Sequence, residues 1–77
     1  MQAFILVKVS PEFSREANKE ILGIKGVTEV YELTGDVDLL LRVQAVDVEE
    51  LSKIVFRVRE TPGIQETDTR MVISSYR

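Results

Sequence analysis

The order of its apolar patterns constrains the fold of this chain more than any other feature. The first segment, AFILVKV, is rich in β-branched and aromatic residues and too short for a buried helix, so it predicts a β-strand. Three later segments have the same character, and the last of them is rich in Thr, Val and Ile. The four predicted strands cover residues 3–9, 27–33, 37–45 and 64–76.

Two other segments carry apolar residues at helical spacing, with charges on the opposite face. The first helix is predicted within residues 12–22, with Ser10 as its N-cap and a proline at its first position. The second has Asp47 as N-cap and Glu50 three residues later, a variant of the capping box, and a Thr-Pro-Gly sequence ends it. The predicted apolar stripes are Phe13, Ala17, Ile21 and Ile24 in the first helix, and Val48, Leu51, Val55 and Val58 in the second.

The resulting order is β-α-β-β-α-β, the ferredoxin-like arrangement of the α+β class. The 77 residues leave room for one domain, expected to cover residues 1–77. The chain has no Cys and no His, which excludes disulfides and the usual zinc and iron sites, so we expect no cofactor. A chain this short buries only about 60% of its unfolded surface and is marginal alone, which leaves assembly as a source of stability.

Charge and hydropathy exclude several classes of partner. The net charge is −3 and the basic residues are scattered, which argues against direct nucleic-acid binding. The longest apolar run is far too short to span a membrane, and the first residues lack the basic leader and cleavage site of a signal peptide. We therefore expect a cytoplasmic protein without a nucleic-acid or membrane partner.

The second face of the predicted sheet is unusually apolar. Both helices of this fold cover one face, so the other should be polar in a monomer. Strand alternation instead places Phe4, Leu6 and Leu40 on that other face, together with one side of the fourth strand. A few exposed apolar residues are normal on a monomer, but a contiguous strip favours burial against a second subunit. We predict a homodimer in which two sheets stack into an α+β barrel with the helices outside.

The connection between the second and third strands contains the candidate site. Thr34, Gly35 and Asp36 form a short hairpin connection in which glycine can adopt a positive φ. Asp36 and Asp38 could act as an acid pair, but Asp36 lies at an exposed turn and the chain lacks His, the commonest general acid–base residue. Catalytic use is therefore the weakest interpretation.

A binding interpretation requires less. The carboxylate of Asp36 or Asp38 can pair with an ammonium group, while backbone N–H groups of the turn and the hydroxyl of Thr67 or Thr69 can receive a carboxylate. These residues are also ordinary turn and strand formers, and spacing alone favours that interpretation. Asp38 can instead bond to the backbone or to a neighbouring arginine and hold the loop in place.

The sequence resembles the effector-binding RAM domain of the Lrp/AsnC family of transcription regulators over nearly all of its length. The most specific motifs are TGDVD from Thr34 to Asp38, the Pro62-Gly63 pair, and the paired threonines Thr67 and Thr69. The resemblance implies that Thr34, Gly35, Asp36, Thr67 and Thr69 bind a ligand, with Asp38 undecided. Family members commonly have an aromatic residue where this chain has Val37, so the ligand preference does not carry over.

The resemblance also implies a dimer formed through the sheets, and assembly of dimers into larger oligomers, often octamers. Amino acids bind between such dimers. The family's helix-turn-helix segment is missing here, so the chain resembles the stand-alone form, which can associate with full-length Lrp/AsnC regulators. We expect an oligomeric, non-enzymatic module that senses an amino acid. The alternatives are a ligand-free structural assembly module and, with less support, an enzyme of the dimeric α+β barrel type, which the absence of His, Trp and Cys disfavours.

Overall fold

A computed structural model describes residues 1–76, which form one antiparallel sheet with two helices packed on one face. The sheet has the strand order β2-β3-β1-β4, which confirms the ferredoxin-like fold. The elements are β1 (Gln2–Val9), α1 (Ala17–Leu22), β2 (Val27–Glu32), β3 (Leu39–Gln44), α2 (Val48–Arg59) and β4 (Ile64–Met71).

The first strand lies at the centre of the sheet. Ile5 of β1 is opposite Leu41 of β3 on one side and Thr69 of β4 on the other. Because side chains alternate along a strand, the odd-numbered residues of β1 face the helices and form the core. The largest fully buried side chains are Ile5, Val7, Ile21, Leu41, Val43 and Val58.

Helix α2 begins as the sequence predicts. The Asp47 carboxylate accepts a hydrogen bond from the Glu50 amide at 2.8 Å, and the Glu50 carboxylate accepts one from the Val46 amide at 3.1 Å. The predicted apolar stripe is wrong at Val48, which is 58% exposed, and it missed Ile54, which is buried. Val48 is the first residue of α2 and lies one turn before Leu51, the first residue of this helix that is buried in the core.

Helix α1 is shorter than predicted and begins at Ala17. The predicted N-cap, Ser10, instead gives its hydroxyl proton to Glu12 and its amide proton to the carbonyl of Gly63, at 2.8 Å in each case. These bonds hold the segment before α1 in turns, although Phe13 still packs against the core as its spacing indicated.

The strands β2, β3 and β4 are also shorter than predicted, whereas β1 begins one residue earlier, at Gln2. β4 ends at Met71 because β1 offers no further partner after the Val72 amide donates to the Gln2 carbonyl at 2.9 Å. The connection between β2 and β3 spans residues 33–38 and is therefore longer than the predicted hairpin.

Candidate functional site

The loop of residues 33–38 is fixed at its base by Asp38. The Asp38 carbonyl accepts from the Leu33 amide at 2.9 Å, which closes the loop, and the Asp38 amide donates to the Val7 carbonyl at 2.9 Å. The Asp38 carboxylate accepts from the Val9 amide, also at 2.9 Å. Asp38 therefore joins the loop to β1 through both its backbone and its side chain, which is the backbone-bonding role that the sequence left open.

The tip of the same loop is free. Gly35 has a φ of 99°, a region that side-chain-bearing residues rarely adopt. Thr34, Gly35 and Asp36 are all exposed, and the Thr34 and Asp36 side chains make no hydrogen bond or ion pair to residues 1–76. A Cβ atom placed on Gly35 would meet nothing within 4 Å. The loop thus presents a hydroxyl, a carboxylate and a glycine backbone to the surroundings from a fixed base.

The two candidate threonines lie elsewhere on the chain. Thr67 is opposite Val7 and Thr69 is opposite Ile5, so both side chains are on the face that the helices cover, and both are half-buried. β1 separates them from β3, and two strand spacings put the backbones of β3 and β4 about 10 Å apart. A hollow of about 110 Å³ brings Val37 near Thr67, but Thr69 lines a different groove. One chain does not bring all the predicted ligand residues into one pocket.

The open face of the sheet has an apolar centre with charged surroundings. Leu6 is opposite Leu40, and Phe4 is opposite Arg42, so Phe4, Leu6 and Leu40 share this face as predicted. All three are half-buried by their neighbours. The Arg42 guanidinium lies 5.8 Å from the centre of the Phe4 ring and forms an ion pair with Glu29 at 3.0 Å.

Tyr31 stands at the β2 end of this open face, opposite Leu40. Its hydroxyl donates to the Glu29 carboxylate. This hydrogen bond is the main reason that the pKa of Tyr31 is raised above 10.0, because the neutral phenol is the form that can donate; desolvation and the negative charge of Glu29 act in the same direction.

A groove that the sequence did not predict lies between α2 and β4. It has a volume of about 330 Å³ and is lined mainly by apolar side chains, among them Val55, Phe56 and Met71. Phe56 is 64% exposed and Met71 is 49% exposed. The signal in the sequence was Phe56, an aromatic residue outside the predicted core stripe of α2.

The described residues contain no cluster of three or more His, Cys, Asp or Glu side chains that could hold a metal ion. None of the helices formed by residues 1–76 has the length and apolar character needed to cross a bilayer.

A four-stranded antiparallel sheet with two helices on one face and an exposed polar loop defines a small ferredoxin-like module. The family model of the Lrp/AsnC ligand binding domain matches residues 2–77, and the chain belongs to this family.

Relatives carry this module in different settings. The chain is 38% identical over 74 residues to the homocitrate synthase of Saccharolobus solfataricus, covering 95% of this chain and 16% of that enzyme. It is 32% identical over 74 residues to the HTH-type transcriptional regulator LysM of Sulfurisphaera tokodaii, covering 95% of this chain and 53% of the regulator. The chain thus spans about half, or much less, of these curated relatives.

Solved structures share the fold. The crystal structure of TTHA0845 from Thermus thermophilus matches with a TM-score of 0.89 at 30% identity, covering 99% of this chain and 96% of that one. The feast or famine regulatory protein Rv3291c of M. tuberculosis, in complex with L-methionine, matches with a TM-score of 0.84 at 19% identity, covering 99% of this chain and 52% of that one. The second likeness is one of fold.

Proposed function

We propose that this chain is a regulatory module that senses an amino acid and binds it at an interface between subunits. The observation that carries the proposal is the loop of residues 33–38, whose base is fixed by Asp38 while the polar groups of its tip remain unpaired within residues 1–76. Because the loop is held at its base, less conformational freedom is lost when its unpaired polar groups bind a ligand.

The loop matches the two charged groups of an amino acid. Asp36 provides a carboxylate for the ammonium group, and the Thr34 hydroxyl and loop N–H groups provide donors for the carboxylate. Gly35 carries no side chain that would keep the ligand from the backbone. Asp38 has one carboxylate oxygen bound to the Val9 amide, so its main contribution is to hold the loop.

The separation of the two sets of candidate residues supports an interfacial site. Within one chain, β1 lies between the loop and Thr69, and Thr69 faces α2. An effector that contacts both Asp36 and Thr69 therefore lies between two chains, with one chain contributing the loop and the other contributing Thr69.

Dimerisation through the open face of the sheet is the first step in forming such an assembly. Phe4, Leu6 and Leu40 form the apolar centre of this face, and a 77-residue domain gains stability by covering it. Replacing Leu40 by Asp should shift sedimentation from dimer to monomer, whereas Val46→Asp, at a position 79% exposed and outside the sheet, should not. Equal sedimentation of both variants as dimers would rule out this face as the interface.

The relatives favour a regulatory rather than a catalytic role. LysM is a transcriptional regulator, Rv3291c binds L-methionine, and the match to homocitrate synthase covers only 16% of that enzyme. We therefore propose a non-enzymatic module located in the cytoplasm, with dimers that assemble further, up to octamers, and that associate with full-length Lrp/AsnC regulators. The competing function is an assembly module that binds no ligand.

A thermal-shift screen of the proteinogenic amino acids separates these two functions. A ligand present at about 100 times its Kd stabilises the protein by ~2.7 kcal/mol, which a melting curve detects. We expect one or a few amino acids to raise the Tm, and Asp36→Asn to abolish the effect. Glu49→Gln, which removes an exposed acid from α2, serves as the control. If no amino acid raises the Tm, or if Asp36→Asn responds as the wild type does, the sensing function fails.

A further inference from the structure

Arg59, at the C-terminal end of α2, joins two adjacent hollows. It lines the apolar groove of about 330 Å³ with Phe56, Thr69 and Met71, and it also lines a polar hollow of about 440 Å³ with Gln65 and Thr67. The combined surface is amphipathic: apolar side chains lie along α2 and β4, and a cation with two hydroxyl-bearing residues lies at one end. Pockets for small molecules commonly have this size and composition.

The charge of Arg59 has no carboxylate partner among residues 1–76. The neighbouring Glu60 pairs with Arg57 at 4.0 Å, and Glu66, which lines the polar hollow, pairs with Lys8 at 3.8 Å. The Arg59 guanidinium instead lies 6.0 Å from the centre of the Phe56 ring. This position keeps a positive charge at the mouth of the apolar groove, and that charge forms no ion pair with a carboxylate of residues 1–76.

We propose that this groove binds a monocarboxylate with an apolar tail. The carboxylate pairs with the Arg59 guanidinium, which can donate two parallel hydrogen bonds, and accepts a further one from Thr69. The hydrocarbon tail lies along Phe56 and Met71 and removes their exposed apolar surface from water. The side chains that line this groove include no Asp or Glu, so the groove offers no carboxylate partner for an ammonium group and discriminates against amines.

This site is separate from the loop of the proposed function, because β1 lies between the loop and β4, and Thr69 is the one candidate residue that the two proposed sites share. It does not require amino-acid sensing to be correct. The charged group that selects the ligand also differs: Asp36 attracts a cation at the loop, and Arg59 attracts an anion at the groove.

The test is an NMR titration of the full chain with hexanoate, butanoate and hexylamine. We expect hexanoate to shift backbone amide signals of α2 and β4, to bind more tightly than butanoate because more of its tail is buried, and to bind more tightly than hexylamine. Arg59→Gln should weaken hexanoate binding at least about tenfold, since it removes a charge-assisted hydrogen bond. Both Lys53→Gln, which removes an exposed cation of α2 that pairs with Glu49 and does not line the groove, and Asp36→Asn should bind hexanoate as the wild type does.

Three results would overturn the site: no hexanoate binding to the wild type, equal binding of hexylamine, or unchanged hexanoate affinity in Arg59→Gln. Arg59 is an exposed residue, so its replacement should leave the fold intact, and an unchanged amide spectrum of the free variant verifies this. Hexanoate-induced shifts confined to the loop around Gly35 would assign carboxylate binding to the loop and also contradict the groove.

Discussion

Replacing Asp38 by Ala should destabilise the protein far more than replacing Asp36, although the two acids lie in one loop. The Asp38 carboxylate accepts the amide proton of Val9 at 2.9 Å in a partly buried setting. The pairing between β1 and β3 ends at Val7 and Leu39, so the Val9 amide, which points to the β3 side, has no strand partner there. Alanine at position 38 leaves the Val9 N–H without an acceptor.

The size of the effect follows from this single lost bond. A buried donor without a partner costs ~1–3 kcal/mol, and the partial burial places this one in the lower part of that range, at ~1–2 kcal/mol. A domain of this size has a total stability of roughly 4–12 kcal/mol, so the loss is a substantial fraction. Each kcal/mol corresponds to a Tm change of ~4–8 °C, which predicts a Tm lower by about 4–16 °C.

The predicted decrease in Tm is measured by thermal unfolding at one fixed protein concentration, with the variants Asp38→Ala, Asp38→Asn and Asp36→Ala. Fixed concentration matters because the Tm of an oligomer depends on it. Asp38→Asn retains an acceptor oxygen and should lie between wild type and Asp38→Ala, whereas Asp36→Ala should match the wild type. Equal Tm values for the two alanine variants would refute the assignment of Asp38 as the residue that holds the loop. So would unchanged hydrogen-exchange protection of the Val9 amide in Asp38→Ala.

Three further perturbations test the fold. In urea denaturation, Gly63→Ala should destabilise the protein more than Gly35→Ala. Both glycines have a positive φ, which costs ~1–2 kcal/mol for alanine. A Cβ atom at Gly63 would in addition lie 2.7 Å from the backbone of the segment before α1. Asp47→Ala should lose ~0.5–2 kcal/mol through the missing N-cap, measured in the same assay. In a variant whose other tyrosine is phenylalanine, absorbance should show Tyr31 ionising above pH 10.0, and Glu29→Gln should lower that midpoint.

The raised pKa of Tyr31 also determines the direction in which the stability of the protein changes with pH. Because the folded pKa of Tyr31 is raised, the bond to Glu29 contributes its stability below the unfolded pKa and loses it as the pH rises through the folded value. Stability that falls equally at alkaline pH in the wild type and in Tyr31→Phe would contradict this. The glycine prediction would be contradicted by equal losses of stability in Gly63→Ala and Gly35→Ala. An unchanged unfolding midpoint in Asp47→Ala would contradict the N-cap prediction.

The sequence was sufficient for the order of elements and for the faces of the central strands. Alternation along β1 and β3 assigned Ile5 and Leu41 to the core and Leu6 and Leu40 to the open face, because side-chain direction in a strand follows from position alone. The N-cap of α2 could also be predicted from the sequence, since Asp47 is adjacent in sequence to the helix that it caps.

The features that could not be predicted from the sequence depend on contacts between segments that are far apart in the chain. The helical spacing from Phe13 onward is real, but the bond between the Ser10 amide and the Gly63 carbonyl, which local patterns do not show, keeps the segment before α1 out of the helix. The role of Asp38 depended in the same way on Val9 lying beside it. The separation of Thr69 from the loop followed from the strand order, which places β1 between β3 and β4.

The central position of β1 also bears on how the chain reaches this structure. The first strand to be synthesised has both of its partners late in the sequence, since Ile5 is flanked by Leu41 and Thr69. Such non-local pairing slows folding, because a large loop must close before its contacts contribute. During synthesis β1 remains an unpaired apolar strand until β3 has formed, and one of its edges stays open until β4 docks. That interval is when the strand is most prone to pair with another chain.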